Sequence, residues 1–195
     1  EGFRAKAISL VLAGGIVSGT FGPELAKWSR DLFSPALFAG CFVVVVALQC
    51  GAAALLYFTR LPPPPPRAGR RGGGRPLWQI ATQPLFVVAL LSAMAAYGVM
   101  SLVMTATPIA MLGCGYAFGD AALVIQWHIL GMYAPSFVTG HLIARFGVTR
   151  ILLAGAALLA ACCGINLSGI GIAHFWAANL LLGVGWNFLF IGGTT

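Results

Sequence analysis

Apolar residues run through this chain in blocks of about twenty or more, separated by short polar breaks or by glycine- and proline-rich stretches. Blocks at about 7–25, 35–59, 85–108, 121–141, 149–168 and 173–195 each reach the length a helix needs to cross a hydrocarbon layer roughly 30 Å thick. None of them alternates polar and apolar residues with period two, which argues against the strands of a membrane barrel. Lipid offers no hydrogen bonds to backbone N–H and C=O groups, so such blocks must satisfy their own as helices. The pattern predicts an all-α membrane protein with six transmembrane helices.

Composition supports this. Of 195 residues 59% are hydrophobic and only 8% charged, too few charges for the surface of a soluble domain. The formal net charge of +7 would suggest nucleic acid in a soluble protein, but its placement points elsewhere. Arg4 and Lys6 precede the first span, Arg60, Arg67, Arg70, Arg71 and Arg75 follow the second, and Arg145 and Arg150 follow the fourth. The alternate connections carry Lys27 and Arg30 offset by Glu24 and Asp31, then Asp120 alone, then no charge. The positive-inside rule therefore puts the N-terminus and the second and fourth connections in the cytoplasm, with the bilayer as the partner and no nucleic acid. No cleavable leader is expected, since the first residues lead straight into an ordinary span. Cys41, Cys50, Cys114, Cys162 and Cys163 lack metal-type spacing and read as small buried residues, so neither metal nor cofactor is expected.

The longest connection, RLPPPPPRAGRRGGGRPLWQ, cannot pack a core and reads as a linker whose arginines meet anionic headgroups. It divides the chain into two spans (1–59), a linker (60–84) and four spans (85–195). The first residue is not Met and the last span ends at IGGTT without a polar flank, so the chain reads as an excerpt of a longer polypeptide.

Two motifs point to a family. In GGIVSGTFGPELAKW, Gly15, Gly19 and Gly22 share one helix face, which lets another helix approach closely, and Pro23 adds a bend. This resembles the GxxxGPxxGG signature on the fifth span of the major facilitator superfamily, with Leu25, Ala26 and Lys27 where more glycine is usual. GHLIARFGVTR resembles the family's G-x-L-x-D-R-x-G-R loop in the copy between spans eight and nine. There Gly140, Leu142, Arg145, Gly147 and Arg150 match, and Ala144 replaces the acidic residue.

The resemblance implies spans five to ten of a twelve-span fold: the end of the N-terminal bundle (1–59), the central cytoplasmic loop (60–84) and the first four helices of the C-terminal bundle (85–195). It also implies a secondary active transporter of the bacterial inner membrane, working by alternating access as a monomer of the full-length chain. A drug or metabolite proton antiporter is the alternative. QWHILGMYAPSFVTG is also similar to the eighth span of a bacterial subgroup that includes riboflavin transporters.

Polar and aromatic side chains inside spans cost insertion energy unless they face a cavity or a partner, so they are the candidate substrate contacts. Tyr97, Ser101, Met104 and Pro108 form one helical stripe, bordered by Thr105. Gln126, Trp127, His128, Met132 and Tyr133 offer a second surface, and Asn179, Trp186 and Asn187, with Trp176 and Gly183, a third. His128 stands out, because imidazole can hydrogen-bond a solute or carry a proton. With no charge among them, these groups suit a flat, uncharged, hydrogen-bonding solute. Interhelical hydrogen bonding is the plain alternative for each, and Trp28 and Trp176 suit the interfacial belt.

Other classes fit less well. An intramembrane serine protease needs GxSG, whereas Gly15-Ile-Val-Ser18-Gly19 carries one residue too many and His174 sits at a span end. A structural membrane protein would need no path along the polar stripes. No phosphate-binding loop supports ATP-driven pumping, and no enzymatic activity is expected.

Overall fold

A computed structural model describes residues 2–59 and 76–194, with side chains from residue 13 onward. The proline run and Arg60, Arg67, Arg70, Arg71 and Arg75 lie outside the described residues, as do the side chains of Arg4 and Lys6. Every regular element among the described residues is helical: α1 (Gly2–Ser29), α2 (Ala39–Phe58), α3 (Leu77–Ala81), α4 (Pro84–Gly113), α5 (Phe118–Tyr133), α6 (Ser136–Phe146), α7 (Val148–Ser168) and α8 (Ile172–Thr194). Among the described residues α2, α4, α7 and α8 are long and apolar enough to cross a membrane, and α5 with α6 makes a fifth if counted as one span bent by 43°. The first predicted span falls on α1, which continues through Pro23 without a break.

The predicted fourth span is thus two helices, divided at Ala134–Pro135. Pro135 has no N–H to donate, so the carbonyl one turn back loses its partner and the helix can turn there. The connection after it is tighter than its sequence suggests: Gly140 lies inside α6, and Gly147 alone joins α6 to α7, with φ +85°. Cysteine placement also differs from expectation. Cys162 is buried, but Cys50 and Cys163 are exposed on α2 and α7, where a small thiol meets lipid as readily as it meets a core, and Cys114 is exposed in the turn after α4.

The chain forms two compact units, one of Leu25–Gln83 and one of the residues up to Glu24 together with those from Pro84 onward. In the first, α1 and α2 are drawn together at their junction. Gly40 packs its backbone against the Ser29 carbonyl, the Ser29 hydroxyl donates to Leu25 O at 2.6 Å, and Phe38 N–H donates to Arg30 O at 2.9 Å. Arg30 and Asp31 pair at 2.9 Å in the turn.

In the second unit α8 is central and packs on α7, α5 and α4. Between helices in lipid there is little hydrophobic driving force, so close backbone approach and interhelical hydrogen bonds must hold the bundle. Small residues supply the approach. A Cβ on Gly155 would lie 3.0 Å from Gly185 O, and one on Gly185 would lie 3.0 Å from Gly155 O, so α7 and α8 touch backbone to backbone. Around this crossing Ala96, Met132, Leu159, Cys162, Ala178, Leu182, Trp186 and Leu189 form the main core. Met111, Ala121, Val124 and Phe175 form a second cluster.

Candidate functional site

Members of the three polar stripes meet at α8, in two different ways. Asn179, Gly183 and Asn187 recur at i, i+4 and i+8, and this face of α8 meets α5. Gly183 brings the backbones together against the His128 carbonyl oxygen and within reach of Met132 N. On either side of that contact a hydrogen bond crosses between the helices. His128 Nδ1 lies 3.0 Å from the Asn179 carbonyl oxygen, which can only accept, so the ring donates its Nδ1–H. Asn187 Nδ2 donates to the Met132 carbonyl at 2.6 Å.

The two asparagines differ in what remains free. Asn187 also donates to Ser136 Oγ at 2.6 Å, and its Oδ1 accepts from the Thr139 hydroxyl at 2.6 Å. Protein groups therefore engage both ends of its amide. Asn179 donates to Phe175 O at 2.9 Å and to Thr107 Oγ1 at 3.3 Å, but its Oδ1 has no partner among the described residues. The same is true of His128 Nε2, and both side chains are essentially inaccessible, His128 at 1% and Asn179 at 0%.

A neighbouring face of α8 carries the aromatic groups. Trp186 stacks on Phe190 with ring centres 4.7 Å apart, and Tyr97 meets both edge-on at 5.5 and 5.6 Å. Trp186 is buried and its Nε1 has no partner among the described residues, whereas Tyr97 is 47% exposed and gives the cluster an open side. Met104, Met132 and Tyr133 pack on the same core. Ser101 and Thr105 lie on an exposed groove of α4 with Gly98, and Thr105 returns its hydroxyl to Ser101 O at 2.8 Å.

Other sequence candidates are placed elsewhere. Trp127 pairs with Trp176 at 5.1 Å on the outside of α5 and α8. Gln126 donates to Thr20 O of α1 at 3.0 Å. Near this bond Gly19 packs on Ile129 and Gly15 on the Tyr133 ring, whereas nothing lies within 4 Å of a Cβ on Gly22. Pro23 is buried, Arg145 stands 5.4 Å from the Phe146 ring centre, and Arg150 is exposed on α7.

Comparison with known proteins adds the decisive relationship. Over 192 residues, 98% of its length, the chain is 45% identical to riboflavin transporter RfnT of Brucella anthropi, of which it covers 48%. Over 98 residues it is 41% identical to two Bacillus subtilis proteins, the uncharacterized MFS-type transporters YddS and YdeG, covering 22% and 23% of them. The chain is thus similar to a riboflavin transporter along nearly its whole length and to MFS-type transporters over half of it. It is an integral membrane protein that spans about half the length of the first of these relatives and under a quarter of the other two. It matches no family profile and no solved structure.

Within this helical bundle, sequence reasoning missed Phe190, Thr107, Ser136 and Thr139. Phe190 follows Trp186 at i+4, a spacing that could have marked it. The three hydroxyl residues had no such signal. Isolated Ser and Thr in apolar helices commonly bond to their own backbone, as Thr20 and Thr194 do here.

Proposed function

We propose that the protein is a secondary transporter that moves a small, flat, uncharged solute across a bacterial inner membrane by alternating access, and that the solute is riboflavin or a close analogue. The observation that carries this reading is the cluster of Tyr97, Trp186 and Phe190, with one half-exposed ring on a buried Trp186 and a partly buried Phe190. Such a surface offers aromatic faces and edges on which a planar heterocycle can stack. The unpartnered His128 Nε2, Asn179 Oδ1 and Trp186 Nε1 supply hydrogen-bonding positions without net charge. The identity to a riboflavin transporter across nearly the whole chain agrees in substrate class. In this reading the basic segments face the cytoplasm, the protein works as a monomer within the bilayer, and the solute leaves chemically unchanged.

Uptake of radiolabelled riboflavin into cells expressing the protein tests it. Tyr97→Ala and Trp186→Ala should each lower initial uptake at least about fivefold at equal membrane abundance, as expected for loss of an aromatic anchor. Wild-type uptake no faster than in control cells would refute riboflavin as the solute. Proton-coupled export of a drug or metabolite is the second reading, favoured by the free ring nitrogen of His128. An uncoupler that raises accumulation of the solute would select it.

A further inference from the structure

The free polar atoms of the α5–α8 interface have a fixed chemical sense. His128 donates its Nδ1–H to the Asn179 carbonyl, so in the neutral ring Nε2 carries the lone pair and can only accept. The orientation of the Asn179 amide is equally set. Its nitrogen faces the Phe175 carbonyl, which requires a donor, and this leaves Oδ1 as an acceptor. Both atoms are buried and without partner among the described residues, and they belong to two residues already joined to each other. Asn187, the same residue type two turns further along α8 and facing the same helix, has both ends of its amide engaged by protein. Unmet acceptors are therefore not a general feature of this interface. Buried polar groups are nearly always paired, so two acceptors left open call for a donor from outside the described chain.

We infer that His128 Nε2 and Asn179 Oδ1 form an acceptor pair that reads an N–H on the edge of the transported heterocycle, which makes these two residues specificity-determining. The inference rests on the transport reading above and narrows its substrate class. A planar solute with an edge N–H satisfies the pair. A solute methylated at that nitrogen leaves both acceptors buried and unmet, and a carboxylate or phosphate brings lone pairs against lone pairs. Sites that hydrogen-bond a substrate N–H or O–H discriminate strongly against analogues that lack it, because the site's own groups are then left unpaired.

Riboflavin carries one ring N–H, on the imide, and the test compares it with its N3-methyl analogue. Competition against labelled riboflavin uptake is measured in cells expressing the wild-type protein, His128→Phe or Asn179→Leu. The wild type should bind the methylated analogue at least about tenfold more weakly than riboflavin. In either variant the two compounds should differ by less than about threefold. Equal competition by both in the wild type overturns the inference while the transport reading stands. Absence of riboflavin uptake by the wild type overturns the transport reading, and this inference with it. A variant that reaches the membrane and still discriminates as the wild type does also overturns the inference, and where a variant does not reach it, equal competition in the wild type remains the refuting outcome.

Discussion

Asn187 on α8 donates to the carbonyl of Met132 on α5 at 2.6 Å, and the same amide reaches Ser136 and Thr139 on α6, so one side chain holds both sides of the Ala134–Pro135 break. A proline break in a membrane helix is tolerated where a neighbouring helix satisfies the freed backbone groups. Asn187→Leu removes that support and leaves the Met132 carbonyl and the Ser136 hydroxyl without this partner, while the Thr139 hydroxyl keeps Pro135 O at 2.8 Å. The expected cost is about 1–2 kcal/mol, the upper part of the range for interhelical hydrogen bonds in membranes. In purified protein the midpoint of thermal unfolding should fall by several degrees, with Thr139→Val giving a smaller drop. An unchanged midpoint for Asn187→Leu would show that the break is held by packing instead.

The glycine stripe of α1 makes a graded prediction. A Cβ on Gly15 would lie 2.6 Å from the Tyr133 ring and one on Gly19 2.5 Å from Ile129, but among the described residues nothing lies within 4 Å of a Cβ on Gly22. Gly15→Val and Gly19→Val should separate α1 from α5 and cost about 1–3 kcal/mol each, as overpacking does. Gly22→Val should stay within about 0.5 kcal/mol, as expected away from such contacts. Yield of monodisperse protein in mild detergent orders the three. Equal loss in all of them would mean that the stripe acts through backbone flexibility and not through contact.

Gly147 carries the turn between α6 and α7 with φ +85° and ψ 153°, a conformation that residues with a Cβ adopt only under strain. Gly147→Ala should destabilise by about 1–3 kcal/mol. Gly140→Ala should be neutral or slightly stabilising, because that residue is helical and nothing lies within 4 Å of a Cβ there. Differential scanning fluorimetry on the two variants separates them, and equal midpoints would refute the assignment of the corner to Gly147 alone.

The same residues show how much was legible before the structure. Long apolar blocks announce helices because lipid allows little else, and the match of α2, α4, α7 and α8 to predicted spans follows from that constraint. The break in the fourth span could not be read from Pro135, since Pro23 and Pro108 sit inside helices that continue through them. What differs at Pro135 is Asn187, more than fifty residues away, and such a pairing depends on which helices become neighbours. The polar stripes were visible by period. Whether each group meets protein, as Asn187 does, or keeps an open valence, as His128 does, is decided by the facing helix.

The crossing of α5 and α8 gives the sharpest test of how the bundle is held. A Cβ on Gly183 would run into the His128 carbonyl oxygen and lie 2.9 Å from Met132 N and 3.0 Å from Gly131 C. These are backbone atoms and cannot rotate aside as a side chain can. Alanine in place of glycine within a helix ordinarily gains about 1 kcal/mol from propensity. Here overpacking of about 3 kcal/mol opposes it, so the net effect of Gly183→Ala should be a loss of about 2 kcal/mol. Gly164→Ala on α7 isolates the propensity term, since nothing lies within 4 Å of a Cβ there, and should raise stability. Because Gly183 sits between Asn179 and Asn187, pushing α8 away from α5 should stretch both interhelical bonds together, the His128–Asn179 bond on one side and the Asn187–Met132 bond on the other. Gly183→Ala should therefore lose discrimination between riboflavin and its N3-methyl analogue as well as stability. A variant that unfolds earlier yet still discriminates would show that the acceptor pair does not depend on this crossing.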